Sequence, residues 1–113
     1  MVQEEIDEIM NQLFKSKIKP DAIFASADKL TTGALRYLHA KKKKVPTEVA
    51  LIGFSNSELT ELLNPPLTII KQPAFEMGKQ AMELLLELIE SKRPVTDFKH
   101  IKLDAELILR ASA

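Results

Sequence analysis

AIFAS (22–26) and VALIGF (49–54) are two short apolar runs, and their reading decides the fold. The first is bounded by Pro20-Asp21 and Asp28, the second by Pro46 and the polar Ser55-Asn56-Ser57. Neither alternates with polar residues, so both are expected to be strands buried on both faces, the pattern of a parallel sheet. Between them, residues 29–42 place Leu30, Ala34, Leu35, Tyr37 and Leu38 on one side of a helix. Strand, helix and strand then make a right-handed βαβ unit.

The reading extends in both directions from this unit. Residues 3–16 set Ile6, Ile9, Met10, Leu13 and Phe14 at helical spacing, with acids at the start, lysines at the end, and Pro20 beyond. After the second strand, Ser55-Asn56-Ser57-Glu58 opens a short helical turn carrying Leu59, Leu62 and Leu63, which Asn64-Pro65-Pro66 closes. LTIIKQ (67–72) reads as a strand stopped by Pro73. Residues 74–91 read as a helix whose apolar residues cover more than half of its circumference, so it needs partners on two sides. Residues 101–109 alternate as Ile101, Leu103, Ala105, Leu107 and Leu109, the period of a half-buried strand. The sum is an α/β fold, a parallel-sheet three-layer sandwich with a narrow sheet and an open edge. Missing polypeptide or a second copy of the chain is expected to cover that edge, which makes a homodimer the expected state.

Composition narrows the function classes. The chain has 113 residues, with 16 Lys and Arg against 16 Asp and Glu, so affinity resting mainly on phosphates or anionic lipid is not expected. There are no cysteines, which removes disulfides, thiolate zinc sites and thiol nucleophiles and suits the cytoplasm. No apolar run is long enough to cross a bilayer, and no membrane partner is expected. The three glycines, at 33, 53 and 78, build no phosphate loop, and His39 and His100 share no ligand spacing, so neither cofactor nor metal is expected. Gly33 should permit close packing on a neighbouring element. Lys41–Lys44 read as a solvated helix end.

Two constellations could carry chemistry. Gly53-Phe54-Ser55-Asn56-Ser57 resembles a nucleophile elbow without its last glycine, and Ser55, Asp97 and His100 mimic a triad order, the basis of a serine-hydrolase alternative. The plainer reading makes Ser55 and Glu58 a capping box. The second constellation is positional. Ser26, Ala27 and Asp28 leave the first parallel strand, and Ser55 and Asn56 leave the second, so all share the carboxyl edge where open α/β sheets bind ligands. Asp28 is also expected to cap the helix that follows.

PDAIFASADKLTTGALRYL, VPTEVALIGFSNSEL, PPLTIIKQPAFEMGKQAMELLLELI and LDAELILRAS follow one another in the order and spacing of the effector-binding domain of LacI/GalR transcription regulators. The resemblance runs from Lys19 to Ser112 and implies a partial periplasmic-binding-protein-like (type I) domain, its C-terminal portion. On that likeness residues 1–66 are a subdomain core, 67–72 and 101–110 are crossover segments, and helix 74–91 belongs to the other subdomain. It also implies a small-molecule effector, a sugar or related metabolite, contacted at Ala27, Asp28 and Ser55, with Asn56 and Gln72 nearby. Ser55 stands where the family carries a carboxylate, so its contacts would be neutral rather than charge-assisted. No catalysis is implied, DNA contact falls to a helix-turn-helix outside the chain, and dimers would use residues 30–40 and 57–63. A solute-binding protein of a transport system shares the fold and is the alternative.

Overall fold

The computed structural model describes residues 2–94 and 97–113. Helix α1 (Gln3–Lys15) precedes strand β1 (Ala22–Ala25), helix α2 (Asp28–Ala40) and strand β2 (Ala50–Phe54). A 3₁₀ turn (Glu58–Leu62), strand β3 (Thr68–Lys71), helix α3 (Ala74–Glu90) and strand β4 (Glu106–Ile108) follow. The sheet order is β1-β2-β3-β4. β1 and β2 are parallel, with Ile23 opposite Leu51 and Ala25 opposite Gly53, and β3 joins parallel with Phe54 opposite Ile70. β4 closes the far side antiparallel, Ile69 facing Ile108.

One face of the sheet holds the core. Leu51 and Ile69 from the strands meet Ala34, Leu35 and Leu38 of α2, with Ile6 and Met10 of α1 packed beyond. α1 and α2 can lie close because Gly33 has no side chain: a Cβ there would meet Ile6 Cδ1 at 2.5 Å, as the helical glycine suggested. Gln3 Nε2 donates to the Gly33 carbonyl at 3.1 Å and fixes the same contact. At the other end Phe14 stacks on Tyr37, whose hydroxyl donates to Asn11 Oδ1 at 2.8 Å. Burial, with a smaller push from Asp7, raises the Tyr37 phenol above its ordinary value.

The opposite face corrects the expectation of strands buried on both sides. Phe24, Ile52, Phe54, Ile70 and Leu107 share it by register, yet Phe24 and Leu107 are exposed and the other three only half-buried. Helix packing among the described residues is of α1 on α2 and of α2 on β1 and β2, so this row has no covering layer. The apolar runs look doubly buried because both rows are apolar; only one of them is covered here. The same cause corrects the last strand. Its ladder is confined to Glu106–Ile108, and Ile108 packs inward while Leu107 and Leu109, from the predicted inward series, are 57% and 73% exposed. α3 buries no residue at all, and the molecule measures 60 × 27 × 22 Å.

The end of the chain is stitched back beneath the sheet. Ser112 Oγ donates to the Leu51 carbonyl at 2.6 Å and accepts from the Thr68 N–H at 2.8 Å. Arg110 Nη1 donates to Thr60 Oγ1 at 2.8 Å and to the Leu67 carbonyl at 3.1 Å. Ser112, Thr68 and Thr60 are all buried, so these bonds satisfy groups that water does not reach.

Candidate functional site

Parallel strands deliver their following residues to one edge, and the structure gathers there a depression of about 370 Å³ lined by Ser26, Ala27, Asp28, Phe54, Ser55, Asn56 and Gln72. The residues singled out for this edge, Ser26, Ala27, Asp28, Ser55 and Asn56, therefore meet in one place, together with Gln72, which the resemblance added. Phe54 completes the lining. Phe54 was visible as the last, aromatic residue of its strand; the face to which it points depends on a register that composition does not reveal.

The local chemistry differs from the expected capping. The residue before α2 is Ala27, which has no side-chain cap; its carbonyl instead accepts from the Thr31 N–H at 2.9 Å and from Thr31 Oγ1 at 2.8 Å. Asp28 occupies the first helical position, where a negative charge suits the helix dipole, and its carboxylate accepts the Ser55 hydroxyl. Ser55 is 3% exposed, and its Oγ also accepts the Ser57 N–H at 3.1 Å. The 3₁₀ turn is capped by Ser57, which accepts from the Leu59 N–H at 3.3 Å, so the box expected of Ser55 and Glu58 is displaced by two residues. Two serines in that short stretch could each cap, and the hydroxyl nearer a carboxylate took the carboxylate.

Ser55 therefore has a hydroxyl committed to Asp28, and its hydrogen-bond partners among the described residues are Asp28, Ser57 and the Ile70 carbonyl. Asp97 lies elsewhere, lining a groove against Leu84, Glu87 and Leu88 of α3. The triad order in the sequence is not a triad in space.

Asn56 behaves unlike a free ligand contact. Its Nδ2 donates to the Gln72 carbonyl at 2.9 Å, and its Oδ1 accepts the Gln72 N–H at 2.8 Å. The Gln72 carboxamide itself makes no hydrogen bond among the described residues. The pocket thus offers one carboxylate, an unengaged amide and an aromatic face. Such a set accepts from hydroxyl or N–H donors and lets a flat apolar surface rest on a ring. Among the described residues no group of three or more His, Asp or Glu is placed to hold a metal ion.

A two-helix layer on a parallel-dominated sheet, with a polar depression at its carboxyl edge, is an α/β arrangement of the kind that binds ligands at that edge. The chain belongs to the periplasmic binding protein-like domain family, whose model matches residues 2–113, and its relatives are LacI-type regulators. It is 38% identical over 103 residues to the HTH-type transcriptional repressor CytR of Escherichia coli K12, covering 91% of this chain and 30% of that protein. The ribose operon repressor of the same strain is 33% identical over 104 residues, 92% of this chain and 31% of the repressor. Among solved structures, a putative LacI regulator from Bacillus cereus subsp. cytotoxis superposes with a TM-score of 0.85 at 26% identity, over 98% of this chain and 39% of that one. A LacI family regulator from Enterococcus faecium with bound ribose gives 0.75 at 29% identity, over 99% and 40%. The chain spans about 30% of the length of the curated relatives it matches.

Proposed function

We propose that this chain is part of the effector-sensing domain of a cytoplasmic LacI-type transcription regulator, and that it supplies one wall of the pocket. The observation that carries this is the convergence of Ala27, Asp28, Ser55, Asn56 and Gln72 on one depression. We read the chain as the C-terminal portion of that domain: residues 1–66 form a subdomain core, 67–72 and 101–110 are crossovers, and α3 packs on the other subdomain. The exposed apolar arc of α3 and the uncovered Phe24-to-Leu107 row support this.

The effector is a neutral, hydroxyl-bearing molecule, a sugar or related metabolite. Asp28 and the Gln72 amide meet its hydroxyls, Ser55 holds the Asp28 carboxylate, and Phe54 supports the ring. Regulation follows from differential affinity for two subdomain arrangements, transmitted to DNA-binding heads outside this stretch. Copies pair through α2 and residues 57–63, where Leu59 and Leu62 are 66% and 76% exposed. No reaction is catalysed.

One wall buries little of a ligand, so affinity in the isolated chain is weak. Calorimetry with ribose, cellobiose and a nucleoside should give Kd values of about 1 mM or weaker. Micromolar binding of any of them would mean that the pocket is complete as it stands. Light scattering at high protein concentration should return a dimer, and a monomer that persists would remove the pairing.

A further inference from the structure

The ladder between β2 and β3 ends where Phe54 faces Ile70, and the Ser55 N–H reaches the Ile70 carbonyl at 3.1 Å. One more rung exists beyond the strands, made by a side chain. The Asn56 carboxamide both donates to and accepts from the Gln72 backbone, as a peptide group would. The Gln72 carbonyl carries a second load, since it also accepts the Ala74 N–H at 2.9 Å as α3 begins. Pro73 between them offers no N–H, and Met77 closes the first turn onto the Pro73 carbonyl at 2.9 Å. α3 itself buries no residue. Its departure from the sheet is therefore governed at the Gln72 joint.

We infer that Asn56 is a positioning residue, a side-chain latch that fixes the Gln72 peptide and so ties the pocket rim to the direction in which α3 leaves the sheet. Asn56 commits one N–H and its side-chain carbonyl to the Gln72 backbone, and that pair of bonds is the latch. Its consequence for sensing rests on the proposed pocket, whereas the latch exists without ligand. A ligand that moved Gln72 would strain the latch and swing the helix, and a ligand that left Gln72 in place would hold it.

The test needs no effector, so its failure is separable from failure of the sensing role. The chain has no cysteine, which lets a spin-label pair be placed at the exposed positions 36 and 83, on α2 and α3, in the full chain. The otherwise unchanged labelled chain should give one dominant distance, and N56A a broadened distribution. Exchange of the Gln72 amide in N56A should be about tenfold faster, the equivalent of one net hydrogen bond, with Ile70 unaffected. N56D adds a readout that plain loss of structure would not move. Its carboxylate still accepts the Gln72 N–H but cannot donate to the Gln72 carbonyl, so half of the latch is lost above the carboxyl range, roughly pH 4, and restored below it when the protonated oxygen can donate. The spin-label distance distribution of N56D, set beside that of the labelled parent chain at each pH, should therefore be broad at neutral pH and narrow on acidification. Unchanged Gln72 exchange and distances in N56A, or a pH-independent N56D, would overturn the inference; if N56A does not fold, N56D decides alone.

Discussion

Replacing Gly53 by alanine probes the contact that sets α2 against β2. A Cβ at this position would stand 2.6 Å from Thr31 Oγ1 and 3.0 Å from Thr31 Cβ, and nearer still to the γ-methyl, where ordinary contacts begin at 3.4 Å. Thr31 has no room to yield. It is fully buried, and its hydroxyl is held on the Ala27 carbonyl at 2.8 Å. Either α2 moves off the sheet by on the order of 1 Å, an overpacking cost of about 1–3 kcal/mol, or Thr31 turns and gives up its bond. Adding about 1 kcal/mol for that bond brings the expected destabilisation to about 2–4 kcal/mol, a large share of a small domain's stability. Because α2 opens at Asp28, the displacement also moves the one carboxylate of the pocket. Urea unfolding followed by circular dichroism measures the loss. Adding Thr31→Ala removes the clashing methyl and hydroxyl, so the double variant should be more stable than the sum of the singles predicts, by about 1 kcal/mol or more. A G53A loss below about 0.5 kcal/mol, or strict additivity, would refute this account of the α2–β2 contact.

Ser112→Ala leaves the buried Thr68 N–H without its acceptor and should cost about 1–3 kcal/mol in the same urea assay. Lys42 holds φ 54° just past α2, while the Lys43 N–H closes on the Leu38 carbonyl at 2.9 Å; Lys42→Gly removes the left-handed strain and should raise stability by about 0.5–1 kcal/mol. The Tyr37 phenol, raised by burial and Asp7, holds its proton more tightly in the folded chain than in the unfolded one. The stability tied to it is complete below the ordinary phenol range, about pH 10, and falls as pH rises through the folded value, which ultraviolet titration beside alkaline unfolding will show. Phe24→Ser lies on the uncovered sheet row at 56% exposure, so it should change monomer stability by less than about 0.5 kcal/mol.

The parallel pair β1 and β2, helix α2 between them and the convergence of Ser26, Ala27 and Asp28 with Ser55 and Asn56 were legible because period, bounding turns and strand direction leave marks along the chain; Gln72 entered through the resemblance alone. What was not legible depends on partners distant in sequence. Apolar rows on both sides of β2 read as a doubly covered strand, but periodicity cannot say which row is covered, and among the described residues no helix packs over Phe24 and Leu107. The same limit put Leu107 and Leu109 inward and passed over Ile108. Ser55 and Ser57 were equivalent capping candidates until Asp28 drew one of them away. Asn56 sits at the expected edge, but its bonds to the Gln72 backbone were not legible, since a carboxamide that mimics a peptide rung looks like any polar residue after a strand. The stitch made by Arg110 and Ser112 joins positions up to 61 apart, and no local pattern announces it.

Isotope-labelled amide spectra of the chain, recorded as ribose or another soluble hydroxylated ligand is added, show where a small molecule lands. Weak, saturable shifts should gather at Ser26–Asp28, Phe54–Asn56 and Gln72, leaving the Lys41–Lys44 end of the molecule unchanged. Shifts centred away from that edge, or none with any sugar or nucleoside at its highest soluble concentration, would contradict the placing of a ligand wall at the carboxyl ends of β1 and β2.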